Sequence, residues 1–311
     1  MKIFRANDDI HPTTFIRPVV TIGNFDGCHL GHQEIFGRLN AHVSDIDGTS
    51  IVYTFDPHPA TIIFDDHDLK LVFTLQEKIE AIESMGIDAL IITPFTQEFA
   101  NITPEAFIKD IIVGMIGAKG VVVGHDFSFG KNNEGNVVFL KRMAKDLNFF
   151  VDKVDEVIRE GVVVSSSSIR NMIQLGDVGC AKKLMGYPYR LPGEVIHGKS
   201  RGHSLGYPTA NIRPFKTLIP AQGVYVAYTY IEGQRMPGVV NIGYNPTFGD
   251  QDLSVEVYVF DIDQDMYGKS ITIEFIDRLR GEIKFPDSRA LARQIEADCV
   301  KARETLEKEN G

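Results

Sequence analysis

The sequence predicts two domains of different class: an α/β domain with a doubly wound parallel sheet, then a β-rich domain ending in a helix. Three observations carry this. Short apolar runs alternate with amphipathic stretches through the first half, as in β-α-β units around a parallel sheet. Beyond Gly186-Tyr-Pro-Tyr189 the texture changes: Gly and Pro become frequent and β-branched runs alternate at period two, the pattern of a β-sandwich or barrel. The 311 residues are also about two domains' worth of chain, at roughly 100–200 residues per domain. The boundary is expected near Gly186, giving domains 1–186 and 187–311.

Pro18-Val-Val-Thr-Ile-Gly23 reads as the first strand and Gly31 to about His42 as the helix after it. Ile51-Val-Tyr-Thr-Phe55 is a second strand, and Thr74-Leu-Gln-Glu77 has the spacing of a capping box opening a helix. Ala89-Leu-Ile-Ile92 is a third strand. Thr103-Pro104 then supplies an N-cap and a proline at the first helical position, and Gly120-Val-Val-Val-Gly124 a fourth strand. After Ser165-Ser-Ser-Ser168, a helix from Ile169, a Gly176-Asp177 break and a second helix to about Leu184 are expected. In the β-rich half, Val224–Ile231, Gly238–Ile242, Ser254–Ile262 and Ser270–Ile276 are the strands, the first pair joined through Glu232-Gly233. From Asp287, Leu291, Ile295, Cys299, Ala302 and Leu306 recur at helical spacing, predicting a terminal helix packed on those strands.

A chain that is 43% hydrophobic and 24% charged is an ordinary globular one, which excludes disordered, collagen-like and coiled-coil classes. Its net charge of −10 repels nucleic acid and anionic membrane surfaces, so neither is expected as a partner, and any phosphate must be held locally. Cys28, Cys180 and Cys299 are far apart, odd in number and without metal-ligand spacing, which predicts a reducing compartment. No signal-length apolar run opens the chain and nowhere do eighteen apolar residues follow one another, so a soluble cytoplasmic protein is expected. No oligomeric state is legible.

Gly23-Asn24-Phe25-Asp26-Gly-Cys-His29-Leu-Gly31-His32 falls where the first strand ends and the first helix begins, the place where open α/β sheets bind ligands. A helix N-terminus offers unpaired N–H groups and a positive dipole end, and Gly31 lets phosphate oxygens approach the backbone. Two imidazoles three residues apart face that opening and can donate to phosphate oxygens and to charge developing in nucleotidyl transfer. Arg170, just inside a helix start, can grip phosphate in bidentate fashion, and Ser168 can be an N-cap. Farther on, the glycine-rich stretch Gly193 to Asn211 either wraps a nucleotide with backbone amides or is a barrel turn. It does not have the spacing of the common G-x-x-x-x-G-K-[S/T] phosphate loop.

The Gly-Asn-Phe-Asp-Gly-x-His-x-Gly-His stretch resembles the nucleotide-binding signature of bacterial FAD synthetases. Thr54-Phe-Asp-Pro-His58-Pro59, Val123-Gly-His-Asp126-Phe-Ser-Phe-Gly130 and Val164-Ser-Ser-Ser-Ser-Ile-Arg170 support the likeness in order. Gly193-x-Val, a Gly-rich stretch and Gly206-Tyr-Pro-Thr209-Ala-Asn211 resemble the riboflavin kinase signature. Nearly the whole chain is thus similar to the prokaryotic bifunctional riboflavin kinase/FAD synthetase family.

The resemblance implies a nucleotidyltransferase domain and an antiparallel β-barrel kinase domain. It implies two ATP-dependent steps, phosphorylation of riboflavin to FMN and adenylylation of FMN to FAD with release of pyrophosphate, both with Mg²⁺. His29 and His32 would contact ATP phosphates and the transition state, with Gly23, Asn24, Phe25, Asp26 and Gly31 around them. Ser165, Ser166, Ser167 and Arg170 would close over the triphosphate. Asp126, Phe127 and His58 would lie near the flavin, and Phe55, Phe127 and Phe129 could stack on its ring. In the barrel, Gly193, Gly198, Lys199 and Gly206 would hold ATP, and Thr209 and Asn211 the Mg²⁺. Glu256 matches the family's base for the ribityl 5′-hydroxyl. Period two supports it, since Val255, Val257 and Val259 face one way and Glu256 the other, beside Tyr258 and Phe260. Arg280 would bind the flavin or its phosphate. The chain departs from the family at Ser128 and Asn245, where arginine is common, and at Ser167, where threonine is.

Two rivals stand beside this reading. One is a nucleotidyltransferase for another phosphorylated substrate with a non-catalytic flavin-binding barrel; the intact Pro-Thr-Ala-Asn and Glu256 argue against it. The other is a non-catalytic flavin carrier, which would need no pair of phosphate motifs.

Overall fold

The computed structural model describes residues 1–5, 8–66, 68–197, 207–244, 253–262 and 266–310. The chain packs as two compact units, Met1–Leu69 with Phe73–Ser166, and Lys70–Val72 with Ser167–Gly311.

The first unit is built on β1 (Lys2–Phe4), β2 (Pro18–Ile22), β3 (Thr49–Phe55), β4 (Ala89–Thr93), β5 (Gly120–Gly124) and, after the small hairpin β6 (Ser128–Phe129) and β7 (Gly135–Asn136), β8 (Phe150–Val154). These pair in the order β1-β4-β3-β2-β5-β8, and all five pairings are parallel. The inner strands read as unbroken apolar runs because both faces are covered. Val20, Ile22, Ile51, Tyr53, Val121 and Val123 join one core, while the alternate residues Val19, Val52, Leu90 and Val122 are equally buried on the other face. From β2 the chain winds outward to β3 and β4, then returns to β5 and winds outward to β8, so the topological switch point lies between β2 and β5.

Local signals explain most helix starts. Thr74 and Glu77 form the predicted reciprocal capping box at Leu75–Ser84, and Thr103 caps a helix with Pro104 in its first turn. That helix continues as a π-helix, Phe107–Met115, in which Phe107 and Ile112 are both buried at the i, i+5 spacing that the wider turn aligns. The helix expected from Ile169 already begins at Ser166 and runs to Leu175, followed by Val178–Met185 with Asp177 as N-cap. The division between units at Ser166/Ser167 groups both helices with the barrel.

Between them and β8 lies the hairpin β9 (Ile158–Arg159) and β10 (Val162–Val163). The second unit comprises β11 (Arg190–Ile196), β12 (Ala210–Pro214), β13 (Gly223–Ile231), β14 (Gln234–Tyr244), β15 (Leu253–Val259) and β16 (Ser270–Arg280). These close into an antiparallel barrel in the order β11-β12-β15-β14-β13-β16, with β11 pairing β16, which decides barrel over sandwich. Glu232 and Gly233 both take positive φ, as a two-residue hairpin turn between β13 and β14 requires. Val255, Val257, Ile242, Val240, Tyr225 and Phe275 are buried. On the outer face, Val224, Val226, Tyr228, Val239, Phe260 and Ile276 pack with Ala302 and Leu306 of the terminal helix Ser288–Asn310.

Candidate active sites

The β2-to-helix turn is the focus of the first unit. Phe25, Gly27 and Cys28 take positive φ, folding the chain back so that the helix Leu30–Ile46 starts over the end of β2. The Phe25 ring lies under the turn, 2% exposed, against Phe36 at 4.9 Å and His32 at 5.2 Å. It fills the space a Cβ on Gly23 would need, 2.9 Å from its Cζ, so Gly23 and Phe25 act as a matched pair that sets the turn. Asp26 is buried too. Its Oδ1 accepts from the Phe73 N–H at 2.9 Å, and its carbonyl accepts from Ser166 Oγ at 2.8 Å. Asn24 is held by its backbone carbonyl, which accepts from Thr54 Oγ1 at 3.4 Å.

His29 is the N-cap of the helix, and its Nδ1 accepts from the His32 N–H at 3.4 Å. An accepting Nδ1 makes Nε2 the protonated nitrogen of the neutral ring, a donor suited to phosphate. The two imidazoles stack at 3.6 Å and 17°. A Cβ on Gly31 would sit 3.3 Å from the His29 ring, a tight contact that glycine avoids. Burial, then the charges of His29 and Lys78, hold the His32 pKa well below the ordinary imidazole value. His32 is therefore neutral at pH 7, and its Nδ1 is buried with no hydrogen-bond partner among the described residues.

Other expected residues take distinct places. His58 caps the short helix Pro59–Ile63, its Nδ1 accepting from the Ala60 N–H at 3.1 Å. Asp126 follows β5 across the switch point, its Oδ1 3.2 Å from where a Cβ on Gly124 would be. Phe127 is half-buried and stacks on Phe129 at 5.2 Å. Phe129 and Phe55 belong to the core, so of the three phenylalanines Phe127 has the most exposed ring. Ser165 is half-buried before the helix start. Ser167 and Arg170 lie on the helix Ser166–Leu175 in the second unit, exposed and half-buried.

On the barrel, antiparallel register places Asn211 of β12 opposite Glu256 of β15, and Glu256 opposite Asn241 of β14. Opposed residues share a face, so an amide, a carboxylate and a second amide form one row beside Tyr258, away from the buried valines. Thr209 is half-buried immediately before β12. Hydroxyl and amide oxygens are hard donors, and Thr209 with Asn211 fits a cation that takes the rest of its shell from phosphate and water. Gly193 lies within β11, where a Cβ would meet Ile212 at 2.5 Å and the Arg213 carbonyl at 2.7 Å, so the close strand crossing requires it. Gly198, Lys199, Gly206 and Asn245 lie outside the described residues.

Arg280 is engaged in the fold. Its Nε and Nη2 donate to Asp298 of the terminal helix at 2.8–3.2 Å, and Gln294 donates to the same carboxylate. Asp298→Ala leaves this half-buried guanidinium without its charged hydrogen-bond partner, at a cost of about 1–3 kcal/mol. The expected result is a clear fall in the thermal midpoint by circular dichroism; an unchanged midpoint would count against the clamp.

Sequence reasoning missed Phe73 and Lys78, and it quoted Thr54 in a motif without placing it at the turn, where its hydroxyl meets the Asn24 carbonyl. It also missed Asn241, whose only sequence signal is its place in a period-two run.

A histidine-capped helix at a switch point and a carboxylate–amide row on a closed barrel together define a two-domain, nucleotide-dependent transferase. The family model for FAD synthetase matches residues 12–168, and that for riboflavin kinase residues 185–306. A bifunctional riboflavin kinase/FMN adenylyltransferase of Bacillus subtilis is 38% identical over 92% of each chain, and that of Escherichia coli K12 is 30% identical over 98% of this chain and 97% of its own. A crystal structure described as a macrolide-efflux protein of Streptococcus pneumoniae shares the fold at 31% identity, covering 97% of this chain and 99% of that one, with a TM-score of 0.88. The chain belongs to the bifunctional riboflavin kinase/FMN adenylyltransferase family, and it is an enzyme carrying both catalytic domains. Both activities imply ATP and a divalent metal, with small-molecule substrates. Among the described residues no helix is long and apolar enough to cross a membrane.

Proposed function

We propose that the barrel transfers the γ-phosphoryl group of ATP to the 5′-hydroxyl of riboflavin, giving FMN and ADP. The α/β domain transfers AMP from a second ATP to FMN, giving FAD and pyrophosphate. Residues 187–311 carry the first step and 1–186 the second. The observation that carries this reading over a non-catalytic barrel is the pairing of Asn211 with Glu256 directly across two strands.

In the kinase step Glu256 accepts the proton of the attacking hydroxyl, and Thr209 and Asn211 hold Mg²⁺ with the ATP phosphates. When bound, Mg²⁺ neutralises phosphate charge and polarises the phosphoryl oxygens. We assign Gly193, Gly198, Lys199 and Gly206 to binding of ATP. In the adenylyl step His29 Nε2 and the neutral His32 donate to phosphate oxygens while the helix N-terminus supplies backbone amides. Ser165, Ser166, Ser167 and Arg170 complete the phosphate contacts, and Phe127 with Asp126 and His58 borders the flavin. Arg280 acts by positioning, through Asp298. Three free cysteines suit the cytoplasm, where we place the enzyme.

A chromatographic time course with riboflavin, ATP and Mg²⁺ tests the proposal: FMN rises first and FAD follows. Neither product forming would sink it.

A further inference from the structure

The helix Ser166–Leu175 carries Ser167 and Arg170, and its far end is held by a residue that no motif marks, Arg278 of β16. Gly176, at φ +81°, ends the helix: its N–H donates to the Ile173 carbonyl and that of Asp177 to the Met172 carbonyl, both at 2.9 Å. The carbonyl of Leu175 lies beyond that turn, and Arg278 Nη1 donates to it at 3.3 Å. Nη2 donates to the Gln222 carbonyl at 2.5 Å, just before β13. One guanidinium therefore ties the end of the helix to the start of a barrel strand.

Two glycines make room for it. A Cβ on Gly176 would lie 3.2 Å from Arg278 Cζ and 2.6 Å from the Tyr225 hydroxyl, and one on Gly223 would lie 2.9 Å from Arg278 Nε. The adjacent residue meets the next helix, since Asp277 Oδ1 lies 3.2 Å from where a Cβ on Gly179 would be, in the first turn of Val178–Met185. A cation at a helix C-terminus and an anion at a helix N-terminus both suit the helix dipoles. Packing by itself sets only which face of Ser166–Leu175 turns inward: Ile169 and Ile173 are its buried residues, and apolar burial is non-directional. Directional contacts at the two ends set where the helix stops along its axis. At one end Ser166 Oγ donates to the Asp26 carbonyl of the histidine turn, and at the other Leu175 accepts from Arg278.

We propose that Arg278 is a positioning residue for adenylyl transfer, holding the Ser166–Leu175 helix so that Arg170 and Ser167 meet ATP phosphate in a fixed register. The role rests on Arg170 being a phosphate contact of the adenylyl step. Although Arg278 stands in the kinase half of the sequence, the step it serves is the adenylyl one, and it serves it without touching ATP. Its Nε is buried with no hydrogen-bond partner among the described residues, a cost that a residue selected for stability alone would avoid.

The test uses the full chain as Arg278→Met, Arg170→Met and the double variant, with kcat and KM for ATP and FMN measured in adenylylation and riboflavin phosphorylation as the internal control. Arg278→Met is expected to raise KM for ATP in adenylylation by about tenfold, to leave KM for FMN within about twofold, and to leave phosphorylation intact. Because Arg278 acts through the helix that carries Arg170, the double variant is expected to lose little more than Arg170→Met alone. A merely structural role would lower both steps together and add to the loss from Arg170→Met, and either result overturns the inference. So does a folded Arg278→Met with the wild-type KM for ATP. If Arg278→Met loses its unfolding transition, Arg278→Lys, whose ammonium lacks the planar fork, is measured in its place with the same direction expected. A wild-type KM for ATP there overturns the inference. Failure of the site reading is seen separately, because Arg170→Met alone would then leave KM for ATP unchanged.

Discussion

Replacing His29 and His32 with Ala is expected to abolish FAD formation while FMN still accumulates from riboflavin. The expected fall in adenylylation is about 10²–10³-fold for each donor removed. The physical basis is narrow and specific. The stacked rings sit at 3.6 Å over a helix N-terminus at the switch point of the sheet, and the Nδ1 of His29 is already committed to the His32 N–H. Removing His29 also removes an N-cap, worth typically about 1 kcal/mol. His29→Ser retains a capping oxygen, so loss of FAD formation in that variant isolates the imidazole from the cap. Because His32 is held neutral by its surroundings, wild-type adenylylation is expected to stay flat through the ordinary imidazole range and to fall only at lower pH. Reverse-phase separation of riboflavin, FMN and FAD checks both points. FAD appearing at wild-type rate in the double variant would remove the histidines from the mechanism.

The second large effect is on the other half of the chain. Glu256→Gln keeps the size and the half-buried position of the side chain but cannot accept the ribityl proton. Riboflavin phosphorylation is expected to drop by about 10²–10⁴-fold, while supplied FMN is still adenylylated. Asn211→Ala should act on the same step through ATP and metal, and part of its loss should be recovered by raising the metal concentration, which Glu256→Gln cannot show. The two residues face each other across β12 and β15, so their combined effect is expected to be less than additive. Full kinase activity in Glu256→Gln would leave the barrel without its base.

Much of this was legible in the sequence because the signals are local. Strands β2 to β5 are continuous apolar runs since both of their faces are covered, and the Thr74 and Thr103 caps depend on hydroxyls that accept from N–H groups three residues on. The histidine turn was legible for the same reason. Strands β11 and β12 were not, because Gly193 and the Pro and Gly around it break the alternation that marks a strand, although the tight crossing is what requires the glycine. Short β1 and the polar β8 gave no run to read. Roles set by distant partners were hidden as well. Arg280 reads as a ligand contact from its motif, and nothing local announces its ion pair with Asp298, eighteen residues on. Asp26 reads as a phosphate-loop residue, and nothing local announces that its carboxylate accepts from the Phe73 N–H. Lys78 is the extreme case, a helix lysine whose burial follows only from the contacts of its neighbours.

The central claim is that one chain holds two independent sites joined by FMN. Mixing the His29→Ala/His32→Ala variant with Glu256→Gln, and following riboflavin with ATP and Mg²⁺, tests it most directly. The account predicts that neither protein alone makes FAD from riboflavin, and that the mixture does, after a lag in which free FMN accumulates. FAD from either variant alone, or no FAD from the mixture while free FMN is present, would contradict it.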